Sequence, residues 1–187
     1  MHLSTLLPLL SFPLLPTAQN TTALPEPPAP PLTFLYTSYV HCRDALYRSP
    51  GPLGTRTAIP IIGGNFTGPR LSGTILPLGA DWGLTDPRTG VFSADTRYNL
   101  RTDDGTDIFV RTSGPAQPGG GLQLRALFEV GVGELYWLNE VVAVGVLSNV
   151  DGGEEVEEGT FWLRIDVWHM TTENDHTKYA NGSMEIA

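Results

Sequence analysis

The chain has 187 residues, 41% hydrophobic and 17% charged, enough for one medium domain with an apolar core and too apolar for disorder throughout. Eleven Lys and Arg stand against twenty Asp and Glu, and a net charge of -9 repels phosphate backbones and anionic surfaces, so nucleic acid is excluded as a partner. With 21 Gly and 16 Pro, short strands joined by many turns are favoured over long helices.

Residues 1–18 read as a secretory signal peptide. The run from Leu3 to Leu15 is apolar and uncharged, too short to span a bilayer, and is followed by the small residues Thr17 and Ala18. The sequons beginning at Asn20, Asn65 and Asn181 fit the same compartment as glycosylation sites. Residues 19–32 form a Pro-rich linker, expected to be extended. The expected location is therefore outside the cell or in the secretory lumen, with no stable membrane anchor once the leader is removed. Self-association into a homo-oligomer stays open. Cys42 is the single cysteine, so no internal disulfide can form, and as no acid or base near it in sequence argues for its activation, a buried, inert thiol is expected.

Residues 33–170 carry the domain. Strands are expected over Thr33–Cys42, Val91–Thr102, Asp107–Thr112, Leu122–Val130, Tyr136–Leu147 and Phe161–Trp168, all rich in aromatic and β-branched residues. Asp104-Gly105 marks a hairpin between two of them. On Leu122–Val130 the residues Leu122, Leu124, Ala126, Phe128 and Val130 share one face, and on Phe161–Trp168 the residues Phe161, Leu163, Ile165 and Val167 do so. A sheet with one apolar face can close on itself and abolish its edges, so a barrel is favoured over a sandwich. The acidic run Asp151–Glu158 reads as a solvated hairpin loop, and residues 171–187 as a polar tail.

The stretches IPIIGGNFTGPRLSGTILPLGADW (Ile59–Trp82), DTRYNLRTDDGTDIFVR (Asp95–Arg111) and FEVGVGELYWLN (Phe128–Asn139) resemble domain-of-unknown-function family 3237 in order and spacing. The resemblance covers about three-quarters of the chain and departs from the pattern at Leu78 and Val130. It implies an all-β protein, a single closed antiparallel β-barrel of calycin-like or allene-oxide-cyclase-like form with little helix, and no established activity.

No Ser/His/Asp order or G-x-S-x-G turn is present, no H-E-x-x-H or Cys/His cluster offers a metal site, and the glycine pairs lack the lysine of a phosphate loop. No cofactor or metal is expected. The candidates are therefore polar residues of the resembling stretches. Asp81 beside Trp82 either caps a turn while the indole fills the core, or combines a carboxylate with an indole wall that can raise its pKa. Asp95, Arg97, Asn99 and Arg101 share one face of their strand, either as an outward salt-bridge stripe or, if inward, with Arg97 and Arg111 holding an anion and Tyr98 on the opposite face. Glu129 either pairs in solvent or lies inside as a general base, with Trp137 stacking on a ligand and Asn139 donating a hydrogen bond from the next strand. Catalytic roles are expected for Asp81, Glu129 and Arg97, and substrate contacts for Trp82, Tyr98, Arg111, Trp137 and Asn139. Two functions fit: a cofactor-free isomerase or cyclase of secondary metabolism acting on a small oxygenated molecule in the lumen, and a barrel that binds such a molecule without changing it.

Overall fold

The structure, a computed structural model, describes residues 28–131, 133–150 and 157–171. The signal peptide, the sequons at Asn20 and Asn181, the start of the acidic run and nearly all of the tail lie outside the described residues. Nine strands follow in chain order: β1 (Leu32–Arg43), β2 (Tyr47–Gly51), β3 (Gly54–Thr67), β4 (Ser72–Thr85), β5 (Phe92–Thr102), β6 (Asp107–Pro115), β7 (Leu122–Val130), β8 (Ala143–Asn149) and β9 (Thr160–Met170). A 3-10 helix, Tyr136–Glu140, lies between β7 and β8.

From β3 to β9 each strand pairs antiparallel with the next, β9 pairs with β1, and β1 pairs with β3 through Thr37–Cys42 against Ile61–Thr67. Eight strands thus close a barrel. Strand β2 takes up the other half of β3, Tyr47 opposite Ala58, and prolongs the course of β1 along the same neighbour. Closure requires tight approach at the β1–β3 seam. A Cβ on Gly64, where φ is +132°, would sit 2.1 Å from the Tyr39 carbonyl oxygen, so only glycine fits that position.

Strands β2, β3 and β4 are absent from the sequence expectation, because their glycines and prolines lower strand propensity. The register supplies the reason for that composition. Pairing slips between Pro60 and Asn65 and between Ile75 and Gly79, and such bulges bend a strand round a small barrel. The expected strand Tyr136–Leu147 is corrected: its first five residues form the 3-10 helix and only Ala143–Asn149 pairs in the sheet.

Period-two alternation fixes the inside. Leu124, Ala126, Phe128 and Val130 of β7 and Ile165 and Val167 of β9 belong to the core, as their apolar spacing predicts, with Tyr98 and Leu100 of β5 and Ile108 and Val110 of β6. Trp137 and Leu138 of the 3-10 helix, both 1% exposed, plug one end of the barrel. Among the described residues no helix is long and apolar enough to cross a membrane.

Candidate functional site

The two ends of the barrel differ. At the plugged end the inward side chains are fully buried, but at the other, near the loops 86–91 and 116–121, Ile59, Phe92, Leu122, Leu147, Phe161 and Leu163 point inward and are only partly buried. That end of the barrel therefore carries a partly exposed apolar rim. Phe92 lies across the wall because β4 gives way: a Cβ on Gly83 would fall 2.1 Å from the Phe92 ring.

Asp81 is on this inner wall. It stands opposite Thr96 and Ile59 in the β4 pairings, is partly buried, and accepts the backbone N–H of Asp95 at 2.8 Å. Burial pushes its carboxyl above the ordinary value. The bond from Asp95 N–H, the Thr96 hydroxyl and the Arg56 charge oppose the rise, while the Asp95 charge adds to it. Cys42 feels the same environment, its thiol pushed up to about 12 by burial first and by the Asp81 charge second. A carboxyl displaced upward inside an apolar cup can give and take a proton, whereas a thiol so displaced is inert, as expected of Cys42. Among the described inward positions of the strands, Asp81 is the one carboxylate.

Tyr98 follows Thr96 on the inner row of β5 and is 1% exposed, so of the two arrangements open for this strand the outward salt-bridge stripe is the one formed. Arg97, Asp95 and Arg111 are on the outer face. There Asp95 draws Arg97 to 3.2 Å, Arg111 to 3.7 Å and Arg56 to 3.9 Å, and the Arg97 guanidinium lies 5.8 Å from the Trp82 ring centre. Arg97, Arg111 and Trp82 thus form an external cluster and do not line the lumen.

Glu129 is also outside. It is exposed opposite Phe109, because the apolar row of β7 takes the interior and the alternation sends Glu129 to solvent; the inward placement required of a general base is corrected. Trp137 and Asn139 do not share a strand face. Trp137 is buried beneath Arg70, whose guanidinium is 4.0 Å from its ring centre, and Asn139 clasps Val130 with two bonds of 3.0 Å, N–H to Oδ1 and Nδ2 to C=O, holding the plug to β7. The plugged end also bears a separate cleft of about 360 Å³ bounded by Arg70, Ser72, Asp103, Asp104 and Glu134. Asn65 is exposed on β3. The sequence reading missed Phe92 and Phe161 as rim residues, although the apolar row of β9 contained the second. It also missed Tyr36, because a register shift between Phe34 and Tyr36 breaks the alternation of β1.

Fold and site define a small closed antiparallel barrel with an apolar lumen and one inner carboxylate. The chain belongs to the DUF3237 family of proteins of unknown function, whose sequence pattern matches residues 30–126. It is 34% identical over 87 residues to a UPF0311 protein of Rhodopseudomonas palustris, a match of 46% of this chain to 56% of that protein, so the chain spans little more than half of that relative's length. It is 30% identical over 131 residues to the hydroalkoxylation enzyme phnH of Penicillium herquei, covering 70% of this chain and 83% of that enzyme. The crystal structure of a β-barrel-like protein from Acinetobacter baumannii superposes with a TM-score of 0.63 at 28% identity, over 79% of this chain and all of that one.

Proposed function

We propose that the barrel is a cofactor-independent enzyme of the isomerase or cyclase type, acting in secondary metabolism on a small oxygenated molecule held in its lumen, with Asp81 as the proton-transferring group. The observation that carries this reading is the half-buried carboxyl of Asp81, the one carboxylate among the described inner positions, beside the partly exposed apolar rim. Its upward-shifted pKa suits one group to both halves of a proton transfer. The relative from Penicillium herquei supports the reaction class, since hydroalkoxylation adds an alcohol O–H across a carbon–carbon double bond, an isomerisation when both groups belong to one molecule. The leader and sequons support a secretory location.

A second reading, a barrel that binds without reacting, is favoured by the outward placement of Glu129 and Arg97, which leaves Asp81 without the partners expected for it. One experiment separates the two. Trace protein is mixed with a metabolite extract of the producing organism, and each mass and retention time is followed by liquid chromatography and mass spectrometry. Conversion of one species to an isomer far beyond protein stoichiometry, abolished by Asp81→Asn, is expected. Mole-for-mole retention with nothing consumed would establish the binder.

A further inference from the structure

Two phenols in the interior have a hydrogen-bonding capacity that the fold does not use. Tyr36 and Tyr98 are 0% and 1% exposed, and neither hydroxyl has a partner in good hydrogen-bonding geometry. The two hydroxyls are neighbours and interact with each other, and a bond between them leaves one O–H of the pair without an acceptor. An unpaired buried hydroxyl is costly, and its persistence calls for an acceptor that the chain does not supply. Ser38, by contrast, donates to the Ile165 carbonyl, and Asp81 accepts the Asp95 N–H.

Position and chemistry narrow what that acceptor is. Tyr98 faces Gly79 and Thr96 faces Asp81 in the β4–β5 register, so the phenol and the carboxyl sit on neighbouring strands one inner position apart. The Tyr36 ring packs edge-on to Phe66 at 5.6 Å and Phe128 at 6.3 Å, which makes that side of the pair apolar. Burial keeps both phenols protonated, with Tyr98 pushed up to about 12 and Tyr36 raised well above its ordinary value, so they are donors throughout the neutral range.

We infer that the Tyr36 and Tyr98 pair is the oxygen-binding end of the lumen, taking the carbonyl oxygen of an apolar conjugated ketone whose double bond and pendant hydroxyl lie toward Asp81; this rests on the enzyme reading above. The step balances within the substrate. As the hydroxyl oxygen bonds to the β-carbon, the Asp81 carboxylate takes its proton, and the alkene electron pair moves to the carbonyl oxygen, an enolate held by the tyrosine O–H. The enolate collapses, the α-carbon recovers the proton from Asp81, and the product is an isomer with nothing oxidised or reduced.

The test uses the full chain with 1-tetralone and its hydrocarbon tetralin as probes, by titration calorimetry. The wild type is expected to prefer the ketone by about tenfold, the worth of one such hydrogen bond. Tyr98→Phe or Tyr36→Phe should lower the preference below about twofold with tetralin affinity unchanged, and Asp81→Asn should leave it intact. Either phenylalanine variant should stay folded, checked by its melting curve, because the hydroxyl removed has at most the other phenol as a partner to lose. On the wild type alone, which serves if a variant folds poorly, the carbonyl stretch of bound 1-tetralone should fall below its position in hexane. Equal affinity for the two probes, or an unshifted stretch, overturns the tyrosine assignment while leaving the lumen as a binding site. Failure of both probes to bind overturns the assignment and the lumen reading together.

Discussion

Gly64→Ala tests the seam that makes the lumen a closed space. The new Cβ would lie 2.1 Å from the Tyr39 carbonyl oxygen and 3.0 Å from Ile75 Cδ1, so β1 and β3 must separate by about 1 Å to restore ordinary contact. Holding a non-glycine residue in the left-handed region costs about 1–3 kcal/mol. Overpacking at a tight contact adds about 1–3 kcal/mol, for a total of about 2–6 kcal/mol. With a urea slope of about 2 kcal/mol per M, the unfolding midpoint should fall by about 1–3 M. Circular dichroism through a urea series measures it. Gly119→Ala is the control: a Cβ there meets nothing within 4 Å, and its midpoint should hardly move. A Gly64→Ala midpoint within about 0.3 M of the wild type would refute the steric account of the seam.

Asp81→Asn should be at least as stable as the wild type near neutrality, since the amide oxygen can still accept the Asp95 N–H and no buried charge remains. With the folded pKa raised, the wild type takes up its proton before the unfolded chain does. Wild-type stability relative to the variant should therefore climb as pH falls through the folded value, and level off below 3.8; paired melting curves check this, and a relative loss on acidification would contradict it. Cys42 should resist a thiol reagent at mildly alkaline pH in the folded protein and react promptly in denaturant, read by absorbance. Asn139→Ala removes both clasps on Val130 and should cost about 1–2 kcal/mol in a urea titration. Arg111→Gln, at a half-exposed ion pair, should change stability by less than about 0.5 kcal/mol in the same assay.

Much of the barrel was legible because alternation survives wherever one face is buried. The rows Leu122 to Val130 and Phe161 to Val167 gave the inner face of two strands, and Asp104-Gly105 gave a hairpin. Residues 54–85 were opaque as strands because closing the barrel needs bulges and close backbone approaches, and the glycines that permit these also read as turns. Tyr136–Leu138 has strand composition but helical structure, since the plug is held by the Asn139 clasp, a contact no local pattern announces. Of the site, Asp81 and Tyr98 are inside. Glu129 drew attention by its chemistry, while the parity of its own strand already put it outside.

Closure also decides when the chain can fold. Thr33 and Thr171, 138 positions apart, share a hydroxyl hydrogen bond at the junction of β1 and β9. During synthesis β1 can pair with β3 early, but its other edge finds no partner until Thr160–Met170 has emerged. For most of translation the protein is an open sheet with a greasy concave face and two unsatisfied edges, the form most prone to joining a second nascent chain. The last eleven residues of the barrel thus act as its latch, and a truncation before Thr160 would leave a sticky ribbon where the full chain makes a vessel.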